Sequence, residues 1–202
     1  MLVHYIMEDK AIKNLMILAK IYANMMSDDP DTRVGAIFIN KDLQILSIGC
    51  NHSPYSMKLN ATSDSNKNKF VRPVKYDWIE HAERNAIYNA LNNGVSLQGS
   101  ICITTLVPCK ECTKAIISSG ISKVYTFKPN SLNSRWMDDF NKVSKLLFDK
   151  ANIPYEFIDI TSHDTLINPN QYGWTPDNLY KYVGGHKKLR NNKTKKQHKY
   201  SV

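Results

Sequence analysis

Two short motifs constrain this 202-residue chain more than anything else in it: His81-Ala82-Glu83 and Pro108-Cys109-Lys110-Glu111-Cys112. Each stands where an apolar helical pattern begins. The i,i+3 spacing of Cys109 and Cys112 lets both thiols face one side of a helical turn. A helix N-terminus favours negative charge, which lowers a thiol's pKa and suits it to ligate metal as a thiolate. One His and two Cys make three ligands, and zinc takes four. A structural site would need a fourth, with Cys50, Cys102 and His52 the candidates; a catalytic site leaves that position to water. Two thiolates and a neutral imidazole cancel the 2+ charge of zinc, so the water needs help from a nearby proton acceptor. Glu83, two residues beyond His81, can face the same pocket without ligating. A structural zinc knuckle has no use for Glu83, and a thioredoxin-like Cys-x-x-Cys leaves His81-Ala82-Glu83 unexplained. Cys50 and Cys102 otherwise read as packed hydrophobes.

The fold follows from hydrophobic periodicity. Ile12, Leu15, Met16, Ala19 and Tyr22 predict a helix over residues 9–26. Residues 34–39 and 44–49 read as two strands joined by a hairpin at Asn40-Lys41-Asp42. The polar stretch 51–74 reads as a loop of a length that marks function or disorder inside a compact domain. Helices are expected over 79–91, from Pro108 (a favourable first-turn position) to Gly120, and over 137–150. Strands are expected over 100–105, 124–127 and 155–160. A helix between successive strands makes the third and fourth, and the fourth and fifth, parallel. The order α-β-β-α-β-α-β-α-β predicts a three-layer α/β domain over residues 1–160. An extension over 161–185 follows, with a short helix around 176–182, and then a tail over 186–202.

That tail locates most of the charge. Of the net +9, seven positive charges and no acid lie from His186 onward, which leaves +2 for residues 1–185. The body is nearly neutral, and the tail reads as disordered or as a weak nucleic-acid contact. A hydrophobic content of 42% against 22% charged excludes wholesale disorder. No apolar run approaches the ~20 residues of a membrane span, and the first residues lack a signal peptide's apolar stretch. A soluble, cytoplasmic protein with no membrane contact is expected.

The His-x-Glu…Pro-Cys-x-x-Cys pattern resembles that of zinc nucleobase deaminases. Further stretches carry the likeness: Asp29-Pro-Asp-Thr-Arg-Val-Gly-Ala-Ile, Ile48-Gly-Cys-Asn-His-Ser-Pro, His81-Ala-Glu-Arg-Asn-Ala-Ile and Gly120-Ile-Ser-Lys-Val. Over about residues 9–160 the chain resembles the deoxycytidylate (dCMP) deaminase branch of the cytidine deaminase-like superfamily. The resemblance implies a five-stranded mixed sheet ordered 2-1-3-4-5 with helices on both faces. It implies Zn2+ held by His81, Cys109 and Cys112, and Glu83 as the catalytic acid and base. Glu83 would take a proton from water, deliver it to N3 of a cytosine ring, and pass one to the amine that leaves as ammonia. Asn51, the Asn of Gly-x-Asn, is expected at the substrate sugar, and Ala82 is assigned to substrate binding with it. The chain departs from the branch at Cys50 and His52, where Gly-Tyr-Asn-Gly is common, and at Arg84, where Leu is frequent.

The substrate expected on this reading is dCMP, converted to dUMP, with dCTP and dTTP as effectors and a homo-oligomeric assembly. A nucleic-acid deaminase acting on cytosine or adenine in tRNA or single-stranded DNA would find its support in the basic tail. A catalytically inactive binding protein is the third reading. Arg33, Arg72, Lys75 and Arg84 are the cations nearest the motifs, each able to meet a phosphate but read first as a surface charge or an ion pair. Tyr76 and Trp78 are placed to wall a base pocket or to staple the start of the helix that follows.

Overall fold

Burial along the first strand decides the layering. In β1 (Gly35–Ile39) every residue is buried, so this strand is central and covered on both faces. Ala36 and Phe38 join one apolar cluster and Ile37 and Ile39 the other, as the two-residue period of a strand requires. The computed structural model describes residues 2–57, 67–127 and 134–160. The remaining elements are α1 (Leu2–Met26), β2 (Ile45–Cys50), α2 (Ala82–Asn92), β3 (Ile101–Thr104), α3 (Lys110–Ser118), β4 (Lys123–Phe127), α4 (Ser134–Asp139), α5 (Lys145–Ala151) and β5 (Tyr155–Ile158). A π-helical turn, Phe140–Ser144, joins α4 to α5.

The strands form one sheet in the order β2-β1-β3-β4-β5. β1 is antiparallel to both β2 and β3, while β3–β4 and β4–β5 are parallel. This matches the expected order and directions. Ile12, Met16 and Ala19 of α1 pack with Ile37, Ile103 and Tyr125 on one face of the sheet. Ala82, Ala86 and Ala90 of α2, Ile116 of α3, and Phe140 and Phe148 pack with Phe38, Cys102 and Val124 on the other. Helices therefore cover both faces in three layers. No helix among the described residues is long and apolar enough to cross a membrane.

Two close approaches set the helix positions. A Cβ on Gly49 would stand 2.4 Å from the Ala86 amide nitrogen and 2.6 Å from the Ala82 carbonyl oxygen, so α2 lies directly on β2. A Cβ on Gly35 would stand 1.9 Å from the Ala19 carbonyl oxygen, which brings α1 equally close to β1. On the other side, the Ser144 hydroxyl at the end of the π turn donates to the Pro108 carbonyl at 2.9 Å.

Several element boundaries differ from those expected. The first helix begins at Leu2 rather than at residue 9. The second begins at Ala82, not at residue 79, because Glu80 pairs with His52 as an isolated bridge: each backbone N–H donates to the other's carbonyl, at 3.0 and 3.2 Å. Ile79 to His81 are thereby held out of the helix. Pro108 likewise precedes its helix instead of opening it, since Cys109 is the N-cap, with φ −70° and ψ 167°. The third helix ends at Ser118, short of Gly120, which adopts φ +74°. Within the expected loop over 51–74, Tyr55–Met57 and Lys67–Phe70 form 3₁₀ turns, and a third follows at Val74–Asp77. The helix expected around 176–182, the extension over 161–185 and the basic tail over 186–202 lie outside the described residues.

Candidate active site

His81 and Cys109 are N-caps of neighbouring helices, both with extended backbones. Their carbonyls accept the first intrahelical bonds, from the N–H of Asn85 at 2.9 Å and of Thr113 at 2.8 Å. The cap position turns each side chain across the helix start instead of along its flank. Cys112 lies in the first turn of α3 and is fully buried. The result is convergence: His81 Nδ1 is 3.5 Å from Cys109 Sγ and 3.4 Å from Cys112 Sγ.

These distances test whether zinc fits. Zinc–nitrogen and zinc–sulfur bonds of about 2.0 and 2.3 Å at a tetrahedral angle place the two ligand atoms about 3.5 Å apart. The observed separations lie close to that edge, and the three ligand atoms all lie within 4.8 Å of one another. No fourth His, Cys, Asp or Glu atom joins this group among the described residues. Cys50 and Cys102 are buried as packed side chains. Burial, and behind it the charge of Asp28, pushes the Cys50 thiol up to about 12.

Electrostatics prepare Cys109 as a thiolate, whereas His81 and Cys112 hold their protons more tightly than usual. A hydrogen bond from Cys112 holds the Cys109 thiol down at about 3, against the opposing effect of burial and with help from His81. The Cys112 thiol is pushed well up, because it keeps the shared proton and is buried. A cation bound between them displaces that proton and leaves two thiolates.

Glu83 stands beside the His81–Cys109–Cys112 group without joining it. It is 3% exposed at the second position of α2. Burial raises its carboxyl pKa, outweighing the charge of His81. The Thr104 hydroxyl, buried at the end of β3, lies 3.4 Å from Glu83 Oε1 and 3.2 Å from the Leu106 carbonyl. Next to this group, the Glu80 carboxylate accepts the His81 backbone N–H at 2.8 Å and pairs with Arg84. Arg84 is therefore an ion-pair residue.

A cleft of about 520 Å³ opens over His81, Glu83 and Cys109. Asn51 lines it, and its Oδ1 accepts the Val34 N–H at 2.8 Å. Ala82 is buried under the helix start, against β2. Tyr76 lines the cleft, whereas Trp78 instead carries Lys69 Nζ 4.4 Å from its ring centroid. Lys75 is not on the surface but forms a buried ion pair with Asp29 at 2.7 Å, and both are at the cleft wall. Trp136, from α4, also lines the cleft. Its one signal in the sequence is an aromatic residue at the start of the helix following β4.

Comparison with known proteins agrees with this geometry. Residues 9–128 match the cytidine and deoxycytidylate deaminase zinc-binding region. The deoxycytidylate deaminase of Pongo abelii is 35% identical over 136 residues, covering 64% of this chain and 69% of that protein. The deoxycytidylate deaminase of Homo sapiens is 33% identical over the same length and coverage. The crystal structure of dCMP deaminase from the cyanophage S-TIM5, in complex with dCMP and dUMP, superposes with a TM-score of 0.54. It is 24% identical and covers 71% of this chain and 93% of that one, a likeness of fold. With its sheet order, its zinc-fitting His-Cys-Cys group and its matched region in agreement, the chain belongs to the cytidine and deoxycytidylate deaminase family and is a zinc-dependent deaminase.

Proposed function

We propose that this protein converts dCMP and water to dUMP and ammonia. The observation that carries the chemistry is the position of Glu83: buried and adjacent to three metal ligands, yet not one of them. The substrate is supported by the relatives named deoxycytidylate deaminase.

On this reading His81, Cys109 and Cys112 hold zinc, which when bound supplies Lewis-acid activation of a water molecule. Glu83 accepts a proton from that water and delivers it to N3 of the cytosine, making C4 electrophilic. Oxygen adds to C4, Glu83 passes a second proton to the amino group, and the C4–N bond breaks. The water's oxygen ends on C4, and its protons end on N3 and in the departing ammonia. Burial suits Glu83 to this shuttle by raising its pKa toward the working range of an acid and base. Asn51 faces the sugar from the cleft wall, and Ala82, itself buried against β2, serves the substrate by seating the start of α2. A homo-oligomer with dCTP and dTTP as effectors belongs to the same reading, by likeness to the family.

The test is ammonia release by zinc-loaded protein from dCMP, CMP, deoxycytidine, cytidine and a short cytosine-containing single strand, side by side. Preferential turnover of dCMP is expected. Turnover of the strand alone would overturn the reading and make the basic tail a working part. Silence on all five substrates would overturn it too.

A further inference from the structure

β3 ends in a threonine where the two-residue period of the strand calls for an apolar side chain. Cys102, two residues earlier on the same face, lies in the apolar cluster with Ala82 and Ala86 of α2. Thr104 is as fully buried as Cys102. Valine has nearly the same shape, and a buried hydroxyl costs free energy unless it is hydrogen-bonded. The Thr104 hydroxyl meets two acceptors, Glu83 Oε1 at 3.4 Å and the Leu106 carbonyl at 3.2 Å. Both distances exceed the about 2.8 Å of a full O–H···O bond, as one proton lying between two acceptors produces.

These acceptors belong to the two halves of the site. Glu83 stands on α2, two residues past His81, and Leu106 lies in the loop that runs into Cys109. That loop is tied at other points to the body of the protein. The Thr105 N–H donates to the Gly35 carbonyl and the Gly35 N–H to Thr105 Oγ1, each at 3.0 Å. The Pro108 carbonyl takes the Ser144 hydroxyl. Glu83 itself takes hydrogen bonds from its own backbone N–H and from Cys112. Among the described residues, Thr104 is thus the side chain outside the His81–Cys109–Cys112 group that hydrogen-bonds Glu83.

We infer, on the mechanism proposed above for Glu83, that Thr104 is a positioning residue: its hydroxyl fixes Glu83 Oε1 at the end of β3 and leaves the other carboxyl oxygen to carry the proton. The last torsion of a glutamate side chain is soft, so a carboxyl with neither oxygen held swings through unproductive directions. Holding one oxygen removes that freedom and keeps the other within reach of the atoms it serves. A hydroxyl both donates and accepts, so the contact survives whether or not the carboxyl carries the proton in transit. The Leu106 carbonyl steadies the hydroxyl from the opposite side.

The experiment measures kcat and KM for dCMP, zinc content and dUMP affinity by calorimetry on the full-length, zinc-loaded protein and on Thr104→Val, Thr104→Ser and Thr126→Val. Thr126 is the control: it lies beside Thr104 in the β3–β4 register, is equally buried, and has no hydrogen-bond partner for its hydroxyl among the described residues. Thr104→Val should lower kcat roughly 10-fold, with KM, dUMP affinity and one zinc per chain kept. Thr104→Ser should restore most of the loss, and Thr126→Val should leave kcat at the wild-type value. Thr104→Val is then repeated in Glu83→Gln at high enzyme concentration, where it should lower the residual turnover no further. An equal fold-loss in both backgrounds would overturn the assignment, because the hydroxyl would then act through the Leu106 loop alone. Wild-type kcat in Thr104→Val would overturn it as well. Should Thr104→Val lose its zinc or fail to fold, Thr104→Ala decides: a lowered kcat at full zinc content supports the assignment, and an unchanged kcat overturns it. A wild-type protein that does not turn over dCMP, or near-normal turnover in Glu83→Gln, overturns the mechanism itself, whereas the outcomes on Thr104 leave that mechanism standing.

Discussion

Lys75 and Asp29 form an ion pair in which each side chain is 2% exposed. The pair is fully hydrogen-bonded, and Thr32 completes it. Removing one partner strands the other charge in the interior, which costs about 3–5 kcal/mol. Lys75→Met is expected to destabilise the protein by that amount in urea denaturation. Adding Asp29→Asn to it should recover a large part, because the buried charge is then gone as well. Equal losses in the single and double variants would show that the pair contributes nothing through its charges.

Glu83 can be separated from the ligands by substitution. Glu83→Gln keeps the shape of the side chain and removes its capacity to move a proton. Turnover should fall about 100- to 10,000-fold, the usual range for a general acid and base. Zinc content by metal analysis should remain one per chain. Near-normal turnover in this variant would remove Glu83 from the mechanism.

Metal removal offers a complementary readout. Strong chelation should abolish turnover, and added zinc should restore it. The apo protein should also melt at a lower temperature, because binding energy realised only in the folded state contributes stability. Cys109→Ser and Cys112→Ser should each lower zinc occupancy, which neither Cys50→Ser nor Cys102→Ser should do.

Lys20 gives the fold a pH dependence of its own. It is 5% exposed, its Nζ donates to the Arg33 carbonyl, and burial with the nearby Arg33 charge lowers its pKa from 10.5 to about 8. The unfolded chain holds this proton more tightly than the folded one. The cost of the buried charge is therefore present in full below about pH 8 and is relieved as the pH rises toward 10.5. Stability from this group should rise with pH across that window. Lys20→Met should flatten the slope and, at neutral pH, stabilise by up to about 3 kcal/mol, less about 1 for the lost hydrogen bond. Chemical denaturation at several pH values, with and without the substitution, checks both signs.

The parts of this protein legible from sequence are those written locally. Strand alternation and helical spacing set the element order, and the crossover rule then makes β3, β4 and β5 parallel. The metal group was legible because His81, Cys109 and Cys112 lie at the starts of their helices. Boundaries were less so. Nothing near Glu80 in sequence says that it pairs with His52, yet that bridge delays α2 and makes His81 a cap. Lys75 reads as a surface charge until Asp29, 46 residues away, is seen to bury it. Thr32 and Arg72, likewise distant in sequence, acquire meaning only through their contact.

The Ser144 hydroxyl on the Pro108 carbonyl, with Trp136 at the cleft wall, separates two lengths that are easily equated. The stretch carrying the family's recognisable pattern ends at residue 128, but the loop presenting Cys109 is moored by a helix that follows it. A fragment cut at the end of the pattern would retain every ligand and lose the brace behind one of them. The unit that evolution marks most visibly is thus shorter than the unit that must be kept whole for the cysteines to stay in register.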